Sequence, residues 1–325
     1  MMRNYTLPLE ILLHIISQVD EKETLSALCL TSKSLSSEAL RHLYGHIDGR
    51  DDGRLHLLLI GTLICEPSLA LLVRSYSITT TSDVGYSNVP ELSGLQKEED
   101  EETELELEDW DDSWDAVANS FSSQKYEYIW KLLPEALALM SNLEHLSFTD
   151  LAHDPCATHF LRRWKRYGYT FKLKTLEWRC APERLEDVID FLKGQEELEV
   201  LWIQLSTLEE PQSGPLSTAI DGPSTHHCQR LVHLSGNLKT LLHFLPNRPS
   251  ITHVQWIAFF DNIEEGVTSL NAEWRRITHL SFGSFNDHQR LLRPAAKGLF
   301  DSLLALEIQP LNNVCRPQPL DSAWN

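Results

Sequence analysis

The sequence predicts an α/β protein in which a small N-terminal group of three helices precedes an irregular solenoid of strand and helix repeats. The main observation is a pattern, Leu-x-x-Leu-x-apolar with Ile or Val in some copies, which starts at Leu143, Leu173, Leu198, Ile251, Ile277 and Leu303. The starts are separated by 30, 25, 53, 26 and 26 residues. A recurring period in this range is typical of solenoids. The second observation is that the first residues of the chain have a different, purely helical spacing.

The N-terminal segment has the start signals and periodicity of three short helices. Pro8 stands where a helix can begin, because the first helical turn does not need its missing N–H. Apolar residues then recur at three- and four-residue spacing, at Ile11, Leu12, Ile15, Ile16 and Val19. Asp20 with Glu23 predicts a capping box for the second helix, and Thr31 predicts the cap of a third. Such a small unit buries little surface, so it serves either as a cap on a larger domain or as a docking module for a partner.

This segment resembles an F-box of the fungal type. The resemblance rests on Leu7-Pro8-Leu9-Glu10-Ile11, on Leu25-x-x-Leu28-x-Leu30 followed by Lys33, and on the Leu43-Tyr44 ending. F-box segments dock on a Skp-type adaptor that joins them to a cullin ubiquitin ligase. The resemblance implies adaptor contacts at Leu7, Pro8, Ile11, Ile15, Leu25, Leu28 and Leu30. One departure is Leu35, which stands where many members of the family have a tryptophan.

The net charge of −19 is concentrated in one segment of the 325-residue chain. Twelve of the eighteen residues from 98 to 115 are Asp or Glu. Such a run repels itself, so we expect a disordered loop over residues 91–120. The alternative is a docking strip for a basic partner, with Trp110 and Trp114 as apolar anchors. Direct binding of nucleic acid is not expected, because that requires a basic footprint.

The remaining composition predicts a reduced, non-membrane protein of the cytoplasm or nucleus. Six cysteines are scattered with no close pair, and the longest apolar run, Leu55 to Cys65, is too short to span a bilayer. Residues 1–6 lack the features of a secretory signal.

We weighed a metal site for one cluster, His226, His227, Cys228, His233 and His243, but the close ligand pairs of zinc sites are missing. Neither a metal, a cofactor nor an enzymatic activity is predicted, since no catalytic motif is present.

Two further copies of the repeat are predicted. One lies between Leu205 and Ser250, because 53 is about twice the period, and an insertion at 209–225 obscures it. The other is degenerate, at Val73, Tyr76 and Ile78. Between strands the clearest helix is predicted for 182–194, with Pro182 near its start, Gly194 after its end, and one apolar face.

These repeats resemble leucine-rich repeats, which often follow an F-box. Regular repeats carry Asn three residues after the third apolar position, where this chain has Leu151, Ala181, Ser206, Phe259, Phe285 and Leu311. An irregular arc is therefore expected, and a compact α/β domain is the alternative.

Concave faces of solenoids bind partners. On that face we expect substrate contacts from His145, Thr175, Glu177, Arg179, Trp202, Gln204, His253, Gln255 and His279. Trp202 stands out because an exposed tryptophan is a frequent binding hot spot. With Ile203 next to it, a register shift of one residue would bury Trp202 instead.

The complete hypothesis is an F-box at 1–47, a linker helix with the degenerate repeat at 48–90, the acidic loop at 91–120, the repeat solenoid at 121–312, and a tail at 313–325. The expected function is substrate recognition for a Skp-cullin-F-box (SCF-type) ubiquitin ligase, with a protein substrate on the concave face. The alternative is a repeat scaffold without a role in ubiquitin transfer.

Overall fold

Among the residues that the structure describes, nine parallel strands form one sheet, and their order in the sheet equals their order in the chain. The computed structural model describes residues 8–49, 53–80, 125–150, 167–180, 185–205, 228–246, 248–258, 262–284 and 300–310. The strands are β1 His46–Asp48, β2 Ser75–Thr80, β3 His145–Asp150, β4 Thr175–Cys180, β5 Val200–Leu205, β6 His233–Gly236, β7 His253–Ala258, β8 His279–Ser284 and β9 Ala305–Pro310. Stacked repeats produce this order, whereas a doubly wound sheet has a permuted order. The architecture is compatible with the predicted solenoid.

Helices precede, separate and connect the strands. They are α1 Leu9–Ile16, α2 Lys22–Cys29, α3 Lys33–Gly45, α4 Gly53–Cys65, α5 Pro67–Ala70, α6 Lys125–Leu139, α7 Leu185–Leu192, α8 Leu238–Phe244, α9 Ile263–Ser269 and α10 Asn271–Trp274. The helix predicted for 182–194 is α7, with Val188 and Leu192 buried.

Two predicted caps in the N-terminal helices are wrong. Glu21 takes the N-cap position of α2 without a side-chain capping bond, so Asp20 and Glu23 form no capping box. Ser32, not Thr31, caps α3 and accepts a hydrogen bond from the Leu35 N–H at 3.4 Å. Ser and Thr are both good caps, so the sequence alone left the position uncertain by one residue.

The core lies on one side of the sheet, where the second and fourth residues of each strand point. In β3 and β4 these are Leu146, Phe148, Leu176 and Trp178, all buried. The rings of Phe148 and Trp178 stack with centroids 4.4 Å apart. This alternation confirms the strands predicted from the repeated pattern.

Both additional copies of the repeat are also present as strands. The degenerate copy is β2, with Tyr76 and Ile78 buried, and the obscured copy is β6, with Leu234 buried. A further strand, β1, was not predicted, and it pairs with β2 through Ile47 and Tyr76. The acidic segment, the insertion at 209–225 and the six positions expected for Asn lie outside the described residues.

Gly236, the last residue of β6, allows close approach of the chain to its neighbours. A Cβ at this position would lie 2.6 Å from the Ile203 carbonyl oxygen and 2.7 Å from Thr240 Cβ. We expect Gly236→Ala to lower the free energy of unfolding by about 1–3 kcal/mol, because backbone cannot move aside easily.

Gly45 provides the matched control for this substitution. It ends α3, and no atom lies within 4 Å of an added Cβ. Gly45→Ala should therefore be neutral or stabilise by up to about 1 kcal/mol. Urea denaturation followed by circular dichroism measures both, and equal effects would contradict the close packing assigned to Gly236.

Candidate partner-binding surfaces

The face of the sheet opposite the core, here called the open face, carries two rows of aligned side chains. The first row runs from β1 to β9 through His46, Ser75, His145, Thr175, Val200, His233, His253, His279 and Ala305. The second runs through Asp48, Ser77, Ser147, Glu177, Trp202, Ser235, Gln255, Ser281 and Glu307. The sequence-predicted substrate contacts whose side chains are described belong to these rows, except Arg179, which follows in the next.

Glu177, Arg179 and Trp202 form one polar cluster on the open face. The Arg179 guanidinium carbon lies 4.6 Å from the centroid of the Trp202 ring, a cation–π contact. Arg179 Nη2 is 3.3 Å from Glu177 Oε1, and the Ser147 hydroxyl donates to Glu177 Oε2 at 2.9 Å. The structure thus brings together three residues that were predicted separately.

Trp202 lies on the open face, as its predicted register required. It pairs with Glu177 of β4 and Ser235 of β6, while its neighbour Ile203 is in the core. Its ring is half-buried, and its indole N–H has no hydrogen-bond partner among the described residues. The indole N–H is itself buried, so the half-exposed ring is the part of Trp202 that can anchor a partner.

Three imidazole rings from β6, β7 and β8 stack in the first row. Ring centroids are 4.3 Å apart for His233 and His253, and 4.1 Å for His253 and His279. The Thr278 hydroxyl donates to the Thr252 carbonyl at 3.2 Å, so it accepts from the His279 Nδ1–H at 2.9 Å. This bond fixes the tautomer of His279.

Burial favours the neutral form of two of the stacked rings, His233 and His253. Burial, with the neighbouring His233 and His279, lowers the pKa of His253 to about 4. Burial and His279 also lower the pKa of His233. The centre of the open face therefore presents the uncharged imidazoles of His233 and His253 together with hydroxyl, amide and indole groups at neutral pH. His233 was not predicted as a contact. It lies in the obscured copy of the repeat, where Leu231, Leu234 and Gly236 occupy the three positions of the Leu-x-x-Leu-x-apolar pattern.

The other predicted contacts on the open face are separate from the cluster and the stack. His145 and Thr175 are half-buried and adjacent in the first row. Gln255 accepts a hydrogen bond from the Ser235 hydroxyl at 2.9 Å. Gln204 belongs to β5, but its side chain lies outside the described residues.

The N-terminal helices have a small hydrophobic core of their own, here called the N-terminal core. It is formed by Ile16, Leu25 and Ala39, against which Val19, Leu28, Cys29, Leu35 and Leu43 pack. Other apolar residues of these helices remain exposed: Leu9 by 47%, Ile11 by 47%, Ile15 by 49% and Leu30 by 88%. Exposed large apolar residues in such density are typical of a protein-binding surface.

The predicted adaptor contacts that the structure describes divide into three groups by exposure. Pro8, Ile11, Ile15 and Leu30 are exposed, so a partner can reach them. Leu28 is half-buried against the N-terminal core. Leu25 is buried in that core, where it packs the N-terminal helices together, and its assignment as an adaptor contact stays a prediction. Leu7 lies outside the described residues.

The described members of the cluster weighed as a metal site, Cys228, His233 and His243, form no common metal site. The Cys228 thiol is buried and donates to the Leu192 carbonyl at 3.6 Å, and burial raises its pKa. His233 stacks on the open face, whereas His243 packs edge-on against Phe244 in α8. His226 and His227 lie outside the described residues. Within the described ranges, no three His, Cys, Asp or Glu side chains form a possible metal site.

No protein-family model matches the chain, and no curated protein matches it. Among the helices that the structure describes, none combines the length and apolar character needed to cross a membrane.

Proposed function

We propose that this chain recognises a protein substrate for an SCF-type ubiquitin ligase, with the N-terminal helices acting as an F-box that docks on a Skp-type adaptor. The observation that carries the proposal is the set of exposed apolar residues, Leu9, Ile11, Ile15 and Leu30, on helices that already possess their own core. Residues of this kind gain free energy when a partner covers them, about 25 cal/mol for each Å² of apolar surface.

The connection between the N-terminal helices and the sheet supports this role. Helix α3 runs directly into β1, and Tyr44 near its end packs against the main core. The Gly45 carbonyl accepts a hydrogen bond from the Arg74 N–H at 3.0 Å. A short, packed connection holds a docked adaptor and a bound substrate at a defined separation. Fixed separation raises the effective concentration of substrate lysines at the ubiquitin-conjugating enzyme.

The open face supplies the surface for the substrate. Its centre offers Trp202 and hydrogen-bonding groups without formal charge, and the adjacent Glu177 and Arg179 fix the direction of a bound segment. Hydrogen-bonding side chains around an aromatic anchor are typical of protein–protein interfaces.

Binding of purified Skp-type adaptor to the full chain tests the proposal. We expect wild-type chain to retain the adaptor in a pull-down. The double variants Leu7→Ala/Pro8→Ala and Ile11→Glu/Ile15→Glu should weaken binding, the second by at least about 100-fold, because it places charges in an apolar interface.

Leu71→Glu is the matched control for this test. Leu71 is 48% exposed, similar to Ile11 and Ile15, but it lies beyond the N-terminal helices. The control should bind like wild type, and circular dichroism should show that all variants are folded. A folded wild-type chain that does not bind adaptor would contradict the proposal and favour the repeat scaffold.

A further inference from the structure

The Trp202 ring has one face covered from β4 and its other face turned toward β6. Arg179 of β4 lies over the ring, 4.6 Å from its centroid. The neighbour of Trp202 on β6 is Ser235, whose short side chain is buried and leaves room beside the ring. Adjacent strands are about 4.8 Å apart, a spacing that suits a pair of stacked aromatic rings. An aromatic side chain of a partner can therefore lie over Ser235 and against Trp202.

The hydrogen-bonding groups beyond Trp202 suit the backbone of such a partner. The Ser235 hydroxyl donates to Gln255 Oε1 at 2.9 Å. Because this oxygen is occupied, the amide N–H groups are the part of Gln255 that can bind a partner, and their complement is a carbonyl oxygen.

The strands that follow favour uncharged residues in the partner. Burial lowers the pKa of His233 and of His253, so both rings are neutral at neutral pH. The second row beside them consists of Ser235, Gln255 and Ser281, which carry no charge. A charged group placed over these strands would lose its water without gaining a countercharge.

A carboxylate stands at the far end of the same row. Glu307 of β9 is the neighbour of Ser281, and it is exposed. It forms no ion pair with a described residue, whereas Glu177 near the other end is paired with Arg179. The complement of Glu307 in a partner is a basic residue. Such exposed pairs contribute little affinity, but they determine orientation and specificity.

We propose that the substrate is recognised through an extended segment that crosses the strands from β5 to β9, with an aromatic side chain against Trp202, uncharged residues over β6 to β8, and a Lys or Arg at Glu307. This inference rests on the proposed function, since it takes the open face as the substrate surface. It adds the chemical class of the bound segment.

Selection of random peptides displayed on phage against the immobilised full chain tests the inference. Wild type should enrich peptides in which an aromatic and a basic residue stand at one constant separation with uncharged residues between them. Trp202→Ala should weaken the binding of a synthetic enriched peptide by at least about tenfold, because the aromatic anchor is lost. Glu307→Lys, at an exposed position, should select an acidic residue in place of the basic one.

Glu264→Lys is the matched control for this charge reversal. Glu264 is also exposed, but it belongs to α9. That helix packs on the core side of the sheet, where a Cβ on Gly266 would lie 2.6 Å from Trp256. The control should select the same peptides as wild type, and circular dichroism should show that all variants are folded.

A folded wild-type chain that enriches no common motif would overturn the inference. A preference for a basic residue that persists in Glu307→Lys would also overturn it. The adaptor pull-down on the same proteins separates this inference from the proposed function. A chain that selects the expected peptides but does not bind adaptor would support the recognition surface and contradict only the ligase role.

Discussion

Replacement of Trp256 by Ala is expected to lower the free energy of unfolding by about 4 kcal/mol, the usual range for an aromatic residue removed from a core. Trp256 is fully buried in β7. Its ring stacks on Trp274, with centroids 5.6 Å apart, and meets Phe282 edge-on at 5.4 Å. Its far edge contacts α9, where a Cβ on Gly266 would lie 2.6 Å from Trp256 Cη2. The alanine variant would leave a cavity between three elements.

Trp202→Ala is the matched control, since it removes the same side chain from the opposite face of the sheet. Trp202 is half-buried and makes a cation–π contact with Arg179. Its loss should lower the free energy of unfolding by about 1–2 kcal/mol. Urea denaturation followed by circular dichroism compares the two. Equal losses would contradict the assignment of Trp256 to the core and Trp202 to the open face.

Acidification from about pH 7.5 to about pH 5 is expected to lower the free energy of unfolding by about 2 kcal/mol through His56 alone. The His56 ring is buried and forms a hydrogen bond with the Tyr76 hydroxyl. Burial lowers the pKa of His56 from 6.5 to about 4. The unfolded chain keeps the ordinary pKa, so the folded state is favoured fully above pH 6.5. Each pH unit below that value removes about 1.4 kcal/mol until the folded pKa is reached.

A variant with an uncharged amide, His56→Gln, isolates this contribution. It keeps a hydrogen-bonding group near Tyr76 but cannot take up a proton, so its stability should depend less on pH. The pKa of His253 is also lowered to about 4, but that ring is more exposed and solvent screens its charge. His253→Gln should therefore flatten the pH profile less. Denaturation at each pH measures the free energy of unfolding of both proteins. Parallel pH profiles for wild type and His56→Gln would contradict the assignment of this pH dependence to His56.

Much of the sheet could be predicted because each strand contributes two large core-facing residues at fixed spacing. Leu146 with Phe148 and Leu280 with Phe282 are pairs of this kind. Strand β6 was found only from the interval between its neighbours, since Gly236 takes the place of its second apolar residue. Strand β1 has a single core-facing residue, Ile47, and one residue shows no periodicity.

The candidate surfaces were less accessible to sequence reasoning. The alternation of side chains placed Trp202 and Glu177 on the open face, but their contacts with Arg179 depend on distances between strands. His233 stacks on His253 because β6 pairs with β7 in a register that places these two residues side by side. The sequence did not show this register, because the repeat that contains β6 is obscured. In α2, helical spacing could not separate buried Leu25 from half-buried Leu28, because so short a helix can pack in several rotations.

The strictly consecutive pairing of the nine described strands also determines how large a partner can be. Neighbouring strands lie about 4.8 Å apart, so the eight intervals of this sheet measure about 38 Å from first to last. An extended peptide crossing all nine strands would need about eleven residues, since each residue spans about 3.3 Å. A short linear motif of six residues, roughly 20 Å long, would reach from Trp202 past the stacked imidazoles to β9. Measuring the binding of peptides of increasing length can therefore distinguish candidate substrates by the length of the segment that binds.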